Sequence, residues 1–287
     1  MGVPSEWLDQ ACRDRGVALM GVLNVTPDSF FDGGRYVEAE AARQRVDRLL
    51  AEGAAIIDIG AESSRPGATP VPPDRQLERV EPALKYAVSR GAMVSIDTTS
   101  PEVADEALRL GARFVNDVSC LSDAALAATA ARHGATLVLM HSRGALGAMK
   151  SYSDYPDGGY ADVVDDVRAE WRAARDRAAA EGLAPRDVWL DPGIGFAKNA
   201  RQSFELLGRL EELTGEGVPV VVGPSRKSFI SAVDGAVADE RLGGTIAACL
   251  LAAERGARVL RVHDVKAVGQ ALGVVRRARD AAARESP

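Results

Sequence analysis

A short unit recurs along the chain: Gly-Ala, a mostly apolar run, then a residue that can hydrogen-bond or ionise. It stands at 53–58 (GAAIID), 91–97 (GAMVSID), 111–116 (GARFVN), 134–141 (GATLVLMH) and 256–261 (GARVLR). Gly in the left-handed conformation closes a preceding helix, and a short apolar run reads as a strand buried on both faces. Three further runs fit the role without the Gly-Ala opening, at 18–24 (ALMGVLN), 188–191 (VWLD) and 218–223 (VPVVVG), making eight strands. Between them lie Ala/Arg/Glu-rich stretches of helical period at 38–52, 74–90, 101–110, 123–133, 160–182, 201–213, 240–255 and 265–283. Pro101 and Pro82 are read as prolines of a first helical turn. Strands alternating with helices imply a parallel sheet, and eight such units close most economically into a (β/α)8 TIM barrel with its site at the C-terminal ends of the strands. An open doubly wound sheet is the structural alternative. It predicts a G-x-G-x-x-G turn after the first strand, and GVLNVTPDSFFDGG at 21–34 is not one.

No linker or low-complexity stretch interrupts the series, so one domain over 1–287 is expected, with its core at about 17–283. Hydrophobic residues at 46% suffice for a full core, while a net charge of −6 argues against a nucleic-acid partner. Cys12, Cys120 and Cys249 have no zinc or disulfide spacing and read as reduced thiols. The first residues lack a signal-peptide core, Glu6 stands where a myristoylation signal needs Ser or Thr, and no apolar run is long enough to span a membrane. A soluble cytoplasmic protein is the expectation.

The mouth of such a barrel collects the strand ends: Asn24, Asp58 with Glu62, Asp97, Asn116 with Asp117, His141, Asp191, Ser225 with Lys227, and Arg261 with His263. All eight ends are polar, which marks a site rather than loop chemistry. Asp97, Asn116 and Asp191 suit a flat heterocycle with amino and ring N–H groups, because a carboxylate can accept two parallel N–H bonds. The competing assignment is helix capping, stronger for Asp97, which precedes TTSP at 98–101, than for Asp191, which precedes PGIGF at 192–196. Ser225-Arg226-Lys227-Ser228, Arg261 and His263 form a cationic group after strands seven and eight, the usual phosphate region of this fold. Lys227 could instead be a Schiff-base lysine with a pKa depressed by Arg226. The loop from Asn24 to Gly34 offers oxygen ligands for a Mg²⁺ shared with substrate phosphates, whereas three histidines in all argue against zinc. The Pro-rich 66–73 and the irregular 144–160 are expected as further loops of the mouth.

Eight blocks, in order, resemble the dihydropteroate synthase family: GVLNVTPDSFFDGG (21–34), IDIGAESSRPGA (57–68), VSIDTTSPEVADEAL (94–108), FVNDVS (114–119), LMHSRG (139–144), DPGIGFAK (191–198), GPSRKSFI (223–230) and RVHDV (261–265). The resemblance implies a transferase of folate biosynthesis. In that reaction 4-aminobenzoate displaces diphosphate from a dihydropterin methyl diphosphate, giving 7,8-dihydropteroate. It also implies roles. Asp97, Asn116, Asp191 and Lys227 would grip the pterin, with Arg261 and Met140 on its two faces. Asn24 (through Mg²⁺), Arg261 and His263 would hold the diphosphate. Ser64, Arg65, Pro66, Phe196 and Ser228 would frame the aminobenzoate, with Ser64 also at the pterin diphosphate. Lys227, Asn24, Arg261 and His263 are the expected catalytic set, and a homodimer is the expected assembly. The chain departs from the family pattern at Ser64 (often Thr), at Ala197 (commonly Gly) and at NARQS (199–203) in place of Thr-x-x-His-Asn. The alternatives are a pterin-binding homologue without synthase activity and a corrinoid methyltransferase barrel. The latter should lack the NVTPDS and SRKS loops, which are both here.

Overall fold

The computed structural model describes residues 2–25, 34–62, 71–144 and 155–283. Eight parallel strands appear in chain order: β1 (Ala18–Asn24), β2 (Ile56–Gly60), β3 (Met93–Asp97), β4 (Phe114–Asp117), β5 (Thr136–Met140), β6 (Val188–Asp191), β7 (Val221–Val222) and β8 (Val259–Val262). Hydrogen bonding runs β6-β5-β4-β3-β2-β1-β8-β7. A bridge between Leu190 and Val220, with Leu190 N–H donating to Pro219 O at 3.0 Å, joins β6 to β7 and closes the ring. The fold is the TIM barrel that the repeat implies. The repeat's glycines do what was asked of them, since Gly53, Gly91, Gly111, Gly134 and Gly256 all have positive φ.

The helices that follow the strands are α2 (Gly34–Ala51), α3 (Pro73–Ser89), α4 (Pro101–Arg109), α5 (Ala125–His133), α6 (Val163–Ala180), α7 (Ala200–Gly208), α8 (Glu211–Thr214), α9 (Ser231–Asp234), α10 (Leu242–Glu254) and α11 (Val265–Ala283). Three expectations change. Pro101 does open α4, after Ser100, whose hydroxyl accepts from Val103 N–H. Pro82, however, lies inside α3, where it removes a helical donor at an exposed position. The stretch read as one helix over 201–213 is α7 and α8, and β7 is shorter than 218–223 because Pro219 has no N–H for the ladder.

The repeat gives no hint of α1 (Ser5–Cys12). Val3, Leu8 and Cys12 pack with Ala18, Met20, Ile56, Phe114, Val138, Trp189, Val221 and Val259 in the barrel interior. Trp7 packs at a tilt on Phe114, and Phe114 edge-on to Trp189, with centroids 6.1 and 5.0 Å apart. The bottom of the barrel is thereby plugged mainly with apolar side chains, and the hydroxyl of buried Thr136 at the start of β5 accepts Val3 N–H there at 2.8 Å. Among the described residues no helix is long and apolar enough to cross a membrane.

Candidate active site

Strand side chains alternate between faces, so the interior layer above the apolar floor follows from register. Asp58 pairs with Ser95, Gly60 with Asp97, Asp97 with Asn116, and Met140 with Asp191. Met20 pairs with both Ile56 and Arg261 across β1, and lies in the interior cluster with Ile56. Asp58, Asp97, Asn116, Met140, Asp191 and Arg261 therefore share the inward face. Asp58, Asn116, Met140 and Asp191 are buried.

Asp117 and His141, one residue further along β4 and after β5, have the opposite parity and leave the ring of strand ends. The Asp117 carboxylate accepts Ser119 N–H at 2.9 Å and Leu121 N–H at 2.6 Å. It thus holds a turn in which Cys120 and Leu121 both have positive φ. His141 Nε2 lies 3.0 Å from Glu170 of α6, and its Nδ1 lies 3.0 Å from Lys198 Nζ. Glu170 is also bound by Arg143, whose guanidinium stacks over Tyr160 at 3.8 Å. These are fastenings of loop to helix outside the pocket.

The cations are not arranged as a separate arc. Arg261 reaches into the acidic layer, donating from Nε to Asp58 Oδ2 at 2.6 Å and from Nη2 to Asp97 Oδ2 at 2.6 Å. Asn116 donates to the same Asp58 oxygen at 3.2 Å. Burial works against the Arg261 charge, but Asp58 and Asp97 outweigh it and raise its pKa. Burial pushes the Asp97 carboxyl up, opposed by Arg261. Asp191 is also raised by burial, opposed by the bond from Gly193 N–H at 2.8 Å. Lys227 is lowered by burial and by Arg261, against the pull of Asp191 and Asp97. The neighbour that depresses Lys227 is thus Arg261. Arg226 has turned away, with a positive φ, to pair with Asp264 at 2.8 and 3.0 Å. Neither capping assignment describes these acids fully: Ser100, not Asp97, caps α4, while Asp191 accepts Gly193 N–H in the turn after β6.

An apolar wall completes the pocket. Val118, Met140 and Phe196 form one buried cluster, and Lys227 Nζ lies 3.4 Å from the centre of the Phe196 ring. The loop carrying Phe196 is clamped by Lys198, which is 1% exposed and donates to the carbonyls of Gly193 at 3.2 Å and Phe196 at 3.1 Å. Ser228 opens a short 3-10 turn after Lys227.

Asn24 and His263 line a cavity of about 820 Å³ beside α2 and α11, whose charged walls are Arg45, Arg48, Arg226 and Lys266 together with Glu52 and Asp264. His263 Nδ1 is 3.0 Å from Ser225 Oγ. Burial and the charges of Arg261 and Arg226 lower its pKa to about 3, leaving a neutral ring. Among the described residues no group of three or more His, Cys, Asp or Glu could hold a metal. A hard cation here would take the amide oxygen of Asn24 and otherwise water or substrate oxygens, a donor set that suits Mg²⁺. Ser64, Arg65 and Pro66 lie outside the described residues, as do most of the loops after β1, β2 and β5.

The departure at 199–203 has a local explanation. Asn199 and Gln202 form a capping box at the start of α7, with each side chain on the other's backbone N–H at 2.9–3.0 Å. Their amides also dock Tyr155, Pro156 and Asp157. The segment secures a helix start and a loop. Ala197 carries φ +46 where glycine is common, and its carbonyl accepts Tyr160 O–H at 2.9 Å. From sequence Asp58 and Ser225 are read only as polar groups at strand ends, and Lys198 only as the last residue of the DPGIGFAK block. The inward parity of β2 was the signal for Asp58, whereas the partners of Ser225 and Lys198 are visible only in space.

The pattern of the pterin binding enzyme family matches residues 20–263. The chain is 46% identical over 266 residues to the dihydropteroate synthase of Mycobacterium leprae, covering 90% of this chain and 92% of that protein. Among solved structures, the dihydropteroate synthase of Xanthomonas albilineans with 4-aminobenzoic acid superposes with a TM-score of 0.84 at 39% identity, over 94% of this chain and 97% of that one. The same enzyme in complex with 7,8-dihydropteroate gives 0.81 at 36%, over 94% and 98%.

Proposed function

The chain belongs to the dihydropteroate synthases of the pterin-binding enzyme family, and on that premise we propose how its barrel mouth divides the work. The reaction joins the amine of 4-aminobenzoate to the methylene of (7,8-dihydropterin-6-yl)methyl diphosphate. A C–N bond forms, the C–O bond to diphosphate breaks, and the amine gives up a proton. The products are 7,8-dihydropteroate and diphosphate, and the enzyme is a transferase of folate biosynthesis.

The observation that carries the division is the inward layer of Asp58, Asp97, Asn116 and Asp191 with Arg261 and Lys227 set among them. Asp97 and Asp191 accept the pterin's amino and ring N–H groups, Asn116 supplies an amide, and Lys227 donates to the ring carbonyl. Met140 and Arg261 cover the two faces of the ring. Asp58 keeps its hold on Arg261 Nε while Asp97 exchanges the Nη2 contact for the substrate. Asn24, Arg261 and His263 face the diphosphate, where preorganised donors neutralise the charge that grows on the leaving group. Mg²⁺ held by Asn24 would add to that neutralisation. Phe196 and Ser228, with Ser64, Arg65 and Pro66, frame the aminobenzoate beside Lys227. No covalent nucleophile is needed, because orientation and charge stabilisation supply the rate. An amine donor and a leaving diphosphate account for the chemistry without a Schiff base on Lys227.

The assay combines purified protein, the pterin diphosphate, 4-aminobenzoate and Mg²⁺. Diphosphate release that depends on the amine is expected, and chelation should suppress it. Binding without turnover would instead identify a homologue that only binds pterin. Asp191→Ala and Lys227→Ala should each weaken pterin binding by at least about tenfold; unchanged affinity in both would overturn their assignment. A homodimer is part of the proposal, favoured by Leu242 and Val274, exposed apolar residues of the last two helices, and light scattering tests it.

A further inference from the structure

Ser225 and His263, on the loops after β7 and β8, meet twice. The backbone N–H of His263 donates to Ser225 Oγ at 3.2 Å, and Oγ lies 3.0 Å from His263 Nδ1. From this double contact we infer that Ser225 is a positioning residue that keeps His263 protonated at Nε2, the form that donates a hydrogen bond to the leaving diphosphate.

A serine hydroxyl has one proton and two acceptor sites. One site is taken by the backbone N–H of His263. Among the described residues Ser225 Oγ has no other partner, so Nδ1 is the acceptor within reach of its proton. In the reverse assignment, with Nδ1–H donating to Oγ, the two N–H groups of His263 would fill both acceptor sites of the oxygen. That assignment would also leave the hydroxyl proton without an acceptor on a side chain only 6% exposed, which is the costly arrangement for a buried polar group. Which ring nitrogen carries the proton is set by the bond made at the other. With Nδ1 accepting, Nε2 carries the hydrogen.

The charge state agrees. Burial, then Arg261 and Arg226, disfavour an imidazolium at this position. A neutral ring helps an anion only through an N–H, because a bare nitrogen would turn its lone pair toward it. His141 is an internal control, since its Nδ1 accepts from Lys198 and its Nε2 faces Glu170, with Ser225 uninvolved.

The inference rests on the reading that His263 faces the diphosphate, and its test separates the two. The chain has three histidines, His133, His141 and His263, so ¹⁵N-histidine-labelled protein gives few signals in long-range ¹H–¹⁵N correlation spectra, and His133→Gln assigns one of them. At neutral pH the His263 ring is expected to carry its proton on Nε2. In Ser225→Ala a population protonated at Nδ1 should appear while the His141 pattern stays unchanged, and Ser225→Thr should restore the original pattern. A wild-type His263 protonated at Nδ1 or at both nitrogens overturns the inference without any variant. So does a Ser225→Ala spectrum identical to wild type. Inorganic diphosphate, titrated calorimetrically, should bind about tenfold more weakly to Ser225→Ala, the order expected for an outer partner that orients a ligating ring. If His263→Ala binds diphosphate as wild type does, the reading of His263 as a diphosphate donor falls, while the spectra still judge the tautomer.

Discussion

The Asp58 carboxylate and the Arg261 guanidinium, 203 positions apart in sequence on the two strands that flank β1, are joined at 2.6 Å. The same Asp58 oxygen takes the Asn116 amide, and among the described residues its other oxygen, fully buried, has no hydrogen-bond partner. One carboxylate oxygen thus sets the position of a cation and of an amide that both face the pocket. Asp97 holds the other arm of Arg261. Arg261 is thus held between two carboxylates, and pterin binding at Asp97 must exchange one of these contacts for a bond to the substrate.

Replacing Asp58 by Asn leaves the buried Arg261 hydrogen-bonded, among the described residues, to the carboxylate of Asp97 alone. Breaking a buried pair from one side costs about 3–5 kcal/mol, and the retained Asp97 bond puts the expected loss at the lower end, about 3. Urea unfolding of the variant measures it, and pterin binding should weaken in parallel. A loss within about 0.5 kcal/mol, the range of an ordinary surface change, would show that Asp58 does not anchor Arg261.

Gly193 and Gly195 both have positive φ in the loop after β6, but they differ in surroundings. A Cβ on Gly193 would lie 2.0 Å from the His141 carbonyl oxygen, whereas one on Gly195 would lie 3.4 Å from Lys227 Cδ. Gly195→Ala should cost about 1–2 kcal/mol from its left-handed backbone alone. Gly193→Ala must also push β5 and β6 apart, so about 4 kcal/mol or failure to fold is expected. Thermal melts of the two variants decide, and equal losses would contradict the geometry.

His141 has its pKa lowered from 6.5 to about 4 by burial and then by Lys198, against the pull of Glu170. A depressed folded pKa means that the unfolded chain binds the proton more readily. Its contribution is therefore complete above pH 6.5 and is lost as pH falls toward 4, by up to about 3 kcal/mol. The Lys198 ammonium, lowered to about 7 by burial, titrates above this window. Unfolding free energies of wild type and His141→Gln at pH 7 and 4.5 should therefore converge by about 2 kcal/mol. A constant gap between them would mean that His141 is not held neutral.

The Asn199–Gln202 capping box makes a chemical prediction about the chain's own departure from its family. Asn199→Ala should cost about 1 kcal/mol of stability. The pair Asn199→Thr with Gln202→His keeps a capping hydroxyl and a side chain able to reach back, so stability should stay within about 1 kcal/mol of wild type. The KM for 4-aminobenzoate should change less than about twofold in that double variant. A large change in KM would place the segment in the pocket after all.

The sequence alone determined the order of strands and helices and the polar character of every strand end. Those properties are local: a buried parallel strand needs a continuous apolar run, and a left-handed helix end needs glycine. Pro82 and the split between α7 and α8 escaped because helix continuity there is decided by packing partners from elsewhere in the chain. The N-terminal plug escaped because α1 has no repeat signature and is held by the floor of a barrel that must first exist. What only the tertiary structure decided was which polar ends face the pocket. Asn116 and Asp117 are neighbours in sequence, yet one binds Asp58 inside the barrel and the other ties down its own turn. The phase of a two-residue alternation becomes defined only when strands pair in register around a closed ring. The same closure brings Arg261 onto Asp58 and Asp97, making one interlocked charge cluster of what the linear sequence presents as an acidic group and a cationic group.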